Sequence, residues 1–107
     1  MLFVETQYFT RFCEEHCGDD ELRELQKLLM ANPDAGDLIR NGKGLRKVRW
    51  ALPGRGKRGG ARVIYFWRNT AGTIYLLSAY AKNEQADLSA DQRKLLVEWI
   101  QEVLSDE

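Results

Sequence analysis

The sequence predicts an α+β fold: an antiparallel sheet of about four strands, with two helices near the N-terminus and one at the C-terminus. Three observations predict it. Apolar residues recur at helical spacing near both ends of the chain. The middle holds runs rich in β-branched and aromatic residues, separated by turn residues. The order is one strand, two helices, three strands and a last helix, with neither an internal repeat nor a linker, so residues 1–107 are expected to form a single domain.

Leu2–Glu5 reads as a short first strand. Across Gln7–His16, Tyr8, Phe9 and Phe12 fall about one turn apart and suit an amphipathic helix that ends at Gly18. Asp19 and Asp20 supply N-cap chemistry and favourable charge for a second helix. Its apolar stripe is Leu22, Leu25, Leu28 and Leu29, and Asn32-Pro33-Asp34 stops it. Asp37–Gly44 is a connection rich in Gly and Asn. In Leu45–Leu52, Val48 and Trp50 share one strand face, with Lys47 and Arg49 on the other. Pro53–Gly60 holds four Gly and one Pro in eight residues, the composition of a turn or loop. Arg62–Arg68 and Thr73–Tyr80 are strands joined by a hairpin turn at Asn69–Gly72. Ala81–Leu88 is a polar loop. Ser89 and Gln92 have capping-box spacing, and Leu95, Leu96, Trp99, Ile100, Val103 and Leu104 mark the final helix.

The charge is polarised. The chain is formally neutral, with 16 basic and 16 acidic residues. From Leu38 to Asn83 there is no acid, yet that stretch carries Arg40, Lys43, Arg46, Lys47, Arg49, Arg55, Lys57, Arg58, Arg62, Arg68 and Lys82. Such cationic density concentrates phosphate-bearing partners and costs folding energy through self-repulsion. A nucleic-acid surface is the simplest use for it.

Other function classes fit less well. No apolar run is long enough to span a membrane, and Met1–Glu5 lacks the pattern of a signal peptide, so a cytoplasmic protein is expected. Cys13, His16 and Cys17 would give three zinc ligands, but the chain has no further Cys or His, and no metal or cofactor is expected. Gly54–Gly59 matches a Gly-x-Gly-x-x-Gly string, but a strand follows it where a dinucleotide site needs a helix. A Walker A loop fails because Lys57 is followed by Arg58. No helix-turn-helix is recognisable for direct DNA binding.

The glycine-rich loop suits a cationic clasp. Its glycines let backbone amides approach phosphates, while Arg55, Lys57 and Arg58 supply charge and donors. RNA cleavage through the 2′-hydroxyl needs a base, an acid and stabilisation of a phosphorane-like anion. A lysine crowded by cations has its charged form disfavoured, so Lys57 can serve as base. Arg62 can hold a phosphate bidentately, and Lys82 can protonate the leaving 5′-oxygen. Tyr65 and Tyr80 can stack on bases or donate a proton. A non-catalytic RNA- or ribosome-binding module fits the same composition.

Gly44–Arg49, Gly54–Tyr65 and Tyr75–Glu84, followed by Asp87-Leu88-Ser89, together resemble the RelE superfamily of bacterial toxins, specifically its HigB branch. The resemblance runs over nearly the whole chain. It implies a RelE-like fold and a metal-independent ribonuclease that enters the ribosomal A site and cuts mRNA. It also implies a cognate helix-turn-helix (HigA-like) antitoxin, and repression of the operator by the pair. Carried onto this chain, Arg62 matches the phosphate-binding arginine that stabilises the transition state. Lys57 falls in the loop that bears the lysine base, and Lys82 stands where a basic residue acts near the leaving group. Arg46, Lys47 and Arg49 lie on the strand that lines the cleft. No Tyr follows Tyr80 to match the C-terminal tyrosine of better-known members.

Overall fold

A computed structural model describes residues 1–52 and 60–105. The elements are β1 (Leu2–Glu5), α1 (Gln7–His16), α2 (Asp19–Ala31), β2 (Asp37–Leu38), β3 (Arg46–Trp50), β4 (Ala61–Arg68), β5 (Thr73–Ala81) and α3 (Ala90–Ser105). They form the expected α+β architecture with two corrections. The sheet has five strands, in the order β1-β5-β4-β3-β2, and it is mixed. β1 runs parallel to β5, whereas every other neighbouring pair is antiparallel.

Both corrections have one physical origin. A strand's local pattern reports which face it buries but not which strand it lies beside. The chain leaves β1 at one edge of the sheet, passes through α1 and α2, and re-enters at the other edge as β2. β2 has two residues, paired as Asp37 with Lys47 and Leu38 with Arg46. It exists because β3 offers it a ladder, which no run of β-formers in the Gly/Asn-rich connection announces.

The helices cover both faces of the sheet. Phe9 and Phe12 of α1 and Leu25 and Leu29 of α2 bury one face with Val48, Trp50, Val63, Tyr65, Ile74 and Leu76. The Phe9 and Trp50 rings stack at 5.9 Å, and Trp50 Nε1 donates to the Glu21 carbonyl at 3.1 Å. On the other face, Leu96, Val97 and Ile100 of α3 pack on Leu45, Ile64, Tyr75, Leu77 and Tyr80. Three positions of the expected stripes turn outward, Tyr8, Leu28 and Leu95. Among the described residues no helix is long and apolar enough to cross a membrane.

Caps define the helix starts. Gly18, not Asp19 or Asp20, is the N-cap of α2. Its N–H donates to Glu21 Oε1 at 2.7 Å, while the two aspartates stand in the first turn and complement the helix dipole. For α3 the capping box forms as expected: Ser89 N–H donates to Gln92 Oε1 at 2.9 Å, and Gln92 N–H to Ser89 Oγ at 3.1 Å.

Thr6 caps α1 by accepting from Phe9 N–H at 3.2 Å, and its hydroxyl donates to the Leu77 carbonyl at 2.5 Å. Leu77 is the extra residue of a β-bulge, because Ile64 pairs with Ser78 while Tyr65 pairs with Leu76. One buried hydroxyl thus holds a helix start to the irregularity of a central strand. Thr6→Ala removes a cap and leaves the Leu77 carbonyl without that donor. It is expected to lower unfolding stability by about 1–2 kcal/mol, read from urea denaturation.

Candidate nucleic-acid interface

The cationic residues divide by the two-residue period of their strands. Val48 and Trp50 face α1 and α2, so Lys47 and Arg49 project on the α3 side of β3. Register places Arg49 directly opposite Arg62, and Arg62 directly opposite Tyr80. The bulge makes the second juxtaposition useful. Before it, the even-numbered residues Ile74 and Leu76 face α1 and α2; after it, Tyr80 faces α3. One extra residue has therefore moved Tyr80 to the side of Arg62. The result is a row, Arg49–Arg62–Tyr80, across three adjacent strands.

Arg49 is exposed, and Arg62 is half-buried on β4, the central strand of the five. Like charges directly opposite one another on a sheet repel, at a cost of roughly 0.2–1 kcal/mol. An anion bridging the two guanidiniums would turn that repulsion into attraction.

Lys47 stands two residues along β3 from Arg49. Its Nζ lies 2.9 Å from Asp87 Oδ1. The same oxygen accepts from Leu88 N–H at 2.8 Å and from the Tyr80 hydroxyl at 3.4 Å. Asp87 therefore ties the loop after β5 to the sheet. Its carboxyl is held below the usual range, chiefly by the hydrogen bond from Lys47 and then by that from the Leu88 amide. Lys82, just beyond β5, is exposed, and its Nζ donates to the Ala86 carbonyl of the same loop at 2.6 Å. Its backbone N–H donates to the Gly60 carbonyl at 3.0 Å. Gly60 has φ +60°, and a Cβ there would lie 2.6 Å from the Trp50 carbonyl oxygen, so the position demands glycine.

Two residues expected at the RNA surface turn to the other side of the sheet. Arg46 shares the parity of Val48 and Trp50 and turns to the α1/α2 side, where its guanidinium donates to the Gly36 carbonyl at 2.7 Å. Tyr65, its cross-strand partner, is 0% exposed. The Tyr65 hydroxyl donates to the Pro33 carbonyl at 2.8 Å and accepts from Gly36 N–H at 2.9 Å. Both side chains hold the α2–β2 connection against the sheet, and neither reaches the row. Tyr80 joins the row by its hydroxyl alone. Its ring is 6% exposed within the α3 cluster and offers no face to a base. The expected roles of Arg55, Lys57 and Arg58 fall outside the described residues.

Asp87 was legible only as part of the Asp87-Leu88-Ser89 run, and its reach to Lys47, 40 positions earlier, is tertiary. Away from the row, burial followed by the hydrogen bond with Cys17 pushes the Cys13 thiol up, which disfavours a reactive thiolate.

The Tyr80 hydroxyl is pushed up to about 12, first by burial, then by the Asp87 charge and hydrogen bond, with Arg62 opposing. The neutral phenol is thus favoured in the folded state. Its contribution to stability is fully present below the ordinary tyrosine pKa of about 10 and is lost as pH rises through about 12. Asp87→Ala removes the second and third causes but not the first. The Tyr80 midpoint is expected to fall while staying above the ordinary value, as followed by NMR of ring-labelled tyrosine. An unchanged midpoint would refute the coupling.

Fold and row together define a small α+β protein whose sheet carries a cationic row beside its C-terminal helix. The family model described as "RelE toxin of RelE / RelB toxin-antitoxin system" matches residues 1–105. The chain belongs to this toxin family. Its fold is also similar to that of an arginine-to-alanine double mutant of the E. coli toxin RelE in the free state, with a TM-score of 0.54 and 14% identity. That match covers 79% of this chain and 86% of the other. Membership in a toxin–antitoxin family implies an antitoxin partner.

Proposed function

We propose that this toxin is a ribosome-dependent endoribonuclease of the HigB branch that cleaves mRNA in the A site. The observation that carries the reading is the Arg49–Arg62–Tyr80 row, with two arginines directly opposite one another on adjacent strands. In this reading a scissile phosphate lies on Arg62, with Arg49 beside it. A base removes the proton of the 2′-hydroxyl, whose oxygen attacks phosphorus as the bond to the 5′-oxygen breaks. The products are a 2′,3′-cyclic phosphate and a 5′-hydroxyl. Arg62 and Arg49 neutralise the charge that develops on the non-bridging oxygens.

Lys57 is the base suggested by the family resemblance. The leaving 5′-oxygen has two candidate donors near the end of β5. Lys82 carries a ready ammonium proton. Tyr80 lies in register with Arg62, and its hydroxyl stays protonated through the physiological range. Tyr80 takes the place of the C-terminal tyrosine that the chain lacks. Residues 1–107 act as one domain, and a helix-turn-helix antitoxin of the HigA kind covers the toxin and represses the operon with it. No cofactor takes part in this scheme.

The test uses ribosomes programmed with a defined message. Primer extension maps 5′ ends after incubation with wild type or Arg62→Ala. New ends at A-site codons with the wild type alone support the reading; an intact message with both refutes it. Binding without cleavage would assign the row to a ribosome-binding module.

A further inference from the structure

Beside the row lies a second cationic feature that the scheme above leaves unused. A cleft of about 330 Å³ opens between the β2 edge, the loop after β5 and the start of α3. Arg40, Lys47 and Arg93 line it, with Leu38, Ile39 and Leu88 as apolar walls. Asp37 and Asp87 line it as well. Asp87 is engaged by Lys47 at 2.9 Å. Arg93 is half-buried, and among the described residues no carboxylate pairs with it or with Arg40. Two arginines thus line one concave space, and among the described residues neither is paired with a carboxylate. Arg93 comes from α3, outside the acid-free stretch.

Lys47 links the cleft to the row. Arg49 and Lys47 lie on one face of β3 two residues apart, so about 7 Å of strand separates them. That distance is within the reach of one nucleotide. A chain whose phosphate sits on Arg49 and Arg62 therefore presents its neighbouring phosphate to Lys47 and the mouth of the cleft.

We infer that Arg40, Lys47 and Arg93 form a second phosphate subsite, which holds the phosphodiester next to the scissile one. The inference rests on the nuclease reading for the path of the RNA, but not for the chemistry of the cleft. Guanidiniums bind phosphate through paired donors. The Lys47–Asp87 pair is exposed enough for a phosphate to share Lys47 without a large desolvation cost. The apolar walls leave room for the sugar that follows. In this assignment the row selects the bond that is cut, and the cleft sets the register of the strand.

Calorimetric titration tests it without ribosomes or turnover. The probes are 2′-O-methyl dinucleotides of one sequence, whose single phosphodiester occupies the row, bearing a 5′-phosphate, a 3′-phosphate or neither. One phosphorylated probe is expected to bind the wild type about 5–10-fold tighter than the unphosphorylated one. Arg93→Gln and Arg40→Gln should each remove most of that gain and lower the salt dependence by about one counterion. Arg62→Ala should weaken all three probes alike and keep the gain. The subsite is overturned if the wild type shows no gain, or if the gain survives both glutamine variants; the latter result would leave the cleft to an acidic protein surface. A phosphate gain in a protein that cuts no message would sink the nuclease reading and spare the subsite.

Discussion

Arg62→Ala is expected to slow message cleavage on programmed ribosomes by about 10²–10³-fold, the usual cost of deleting one preorganised donor to a developing anion. The position makes the effect large. β4 is the central strand, hydrogen-bonded on both sides, so the Arg62 backbone cannot drift. Arg49 flanks it on one side and Tyr80 on the other. Arg62→Lys keeps the charge but loses the planar fork, and should recover only part of the rate. Stability should move little, within about 1 kcal/mol, because the substitution also relieves the repulsion with Arg49. Single-turnover cleavage and urea denaturation on the same samples separate the two effects. Wild-type cleavage by Arg62→Ala would remove the row from the mechanism.

Tyr65 should show the converse pattern. Its hydroxyl bridges the Pro33 carbonyl and the Gly36 amide, and no solvent reaches it. Tyr65→Phe leaves a buried donor and a half-buried acceptor without their partner, and should lower unfolding stability by about 1–3 kcal/mol. Tyr65→Ala adds a cavity beneath α2 and should cost about 3–5 kcal/mol. Gly36 explains why the site is intolerant. A Cβ on Gly36 would lie 2.9 Å from the Tyr65 ring and 2.8 Å from the Lys47 carbonyl oxygen, so the segment has no slack to collapse inward. The expected readout is a lower denaturation midpoint at constant slope. Cleavage at a temperature where the Phe variant stays folded should be close to wild type. A Phe variant as stable as wild type but impaired in RNA binding would return Tyr65 to the interface.

Comparison of these residues shows what could be read in advance. The alternation at Val48 and Trp50 correctly assigned Lys47 and Arg49 to the opposite face, because a strand's period is a local property. The same alternation places Arg46 with Val48 and Trp50. Family resemblance had grouped Arg46 with its basic neighbours along the strand, and charge proximity in sequence does not respect the pleat. Tyr65 is ambiguous in the same way, since an aromatic in a β-run reads equally well as core or as a stacking platform. Its burial depends on α2 and the following connection folding over it. Tyr80 required more still: its face depends on the bulge at Leu77, and the sequence carries no mark of where a ladder will slip by one.

The ends of the helices, the hairpin turn at Asn69–Gly72 and the segregation of positive charge were written into the chain itself. Each depends on residues within a few positions of one another, through caps, backbone preferences and composition. The parallel docking of β1, the two-residue β2, the grip of Asp87 on Lys47 and the convergence of Arg40 with Arg93 were decided only when the chain closed on itself. Those features join positions far apart in the chain, and local propensities say nothing of which distant partner a strand edge or a carboxylate will meet.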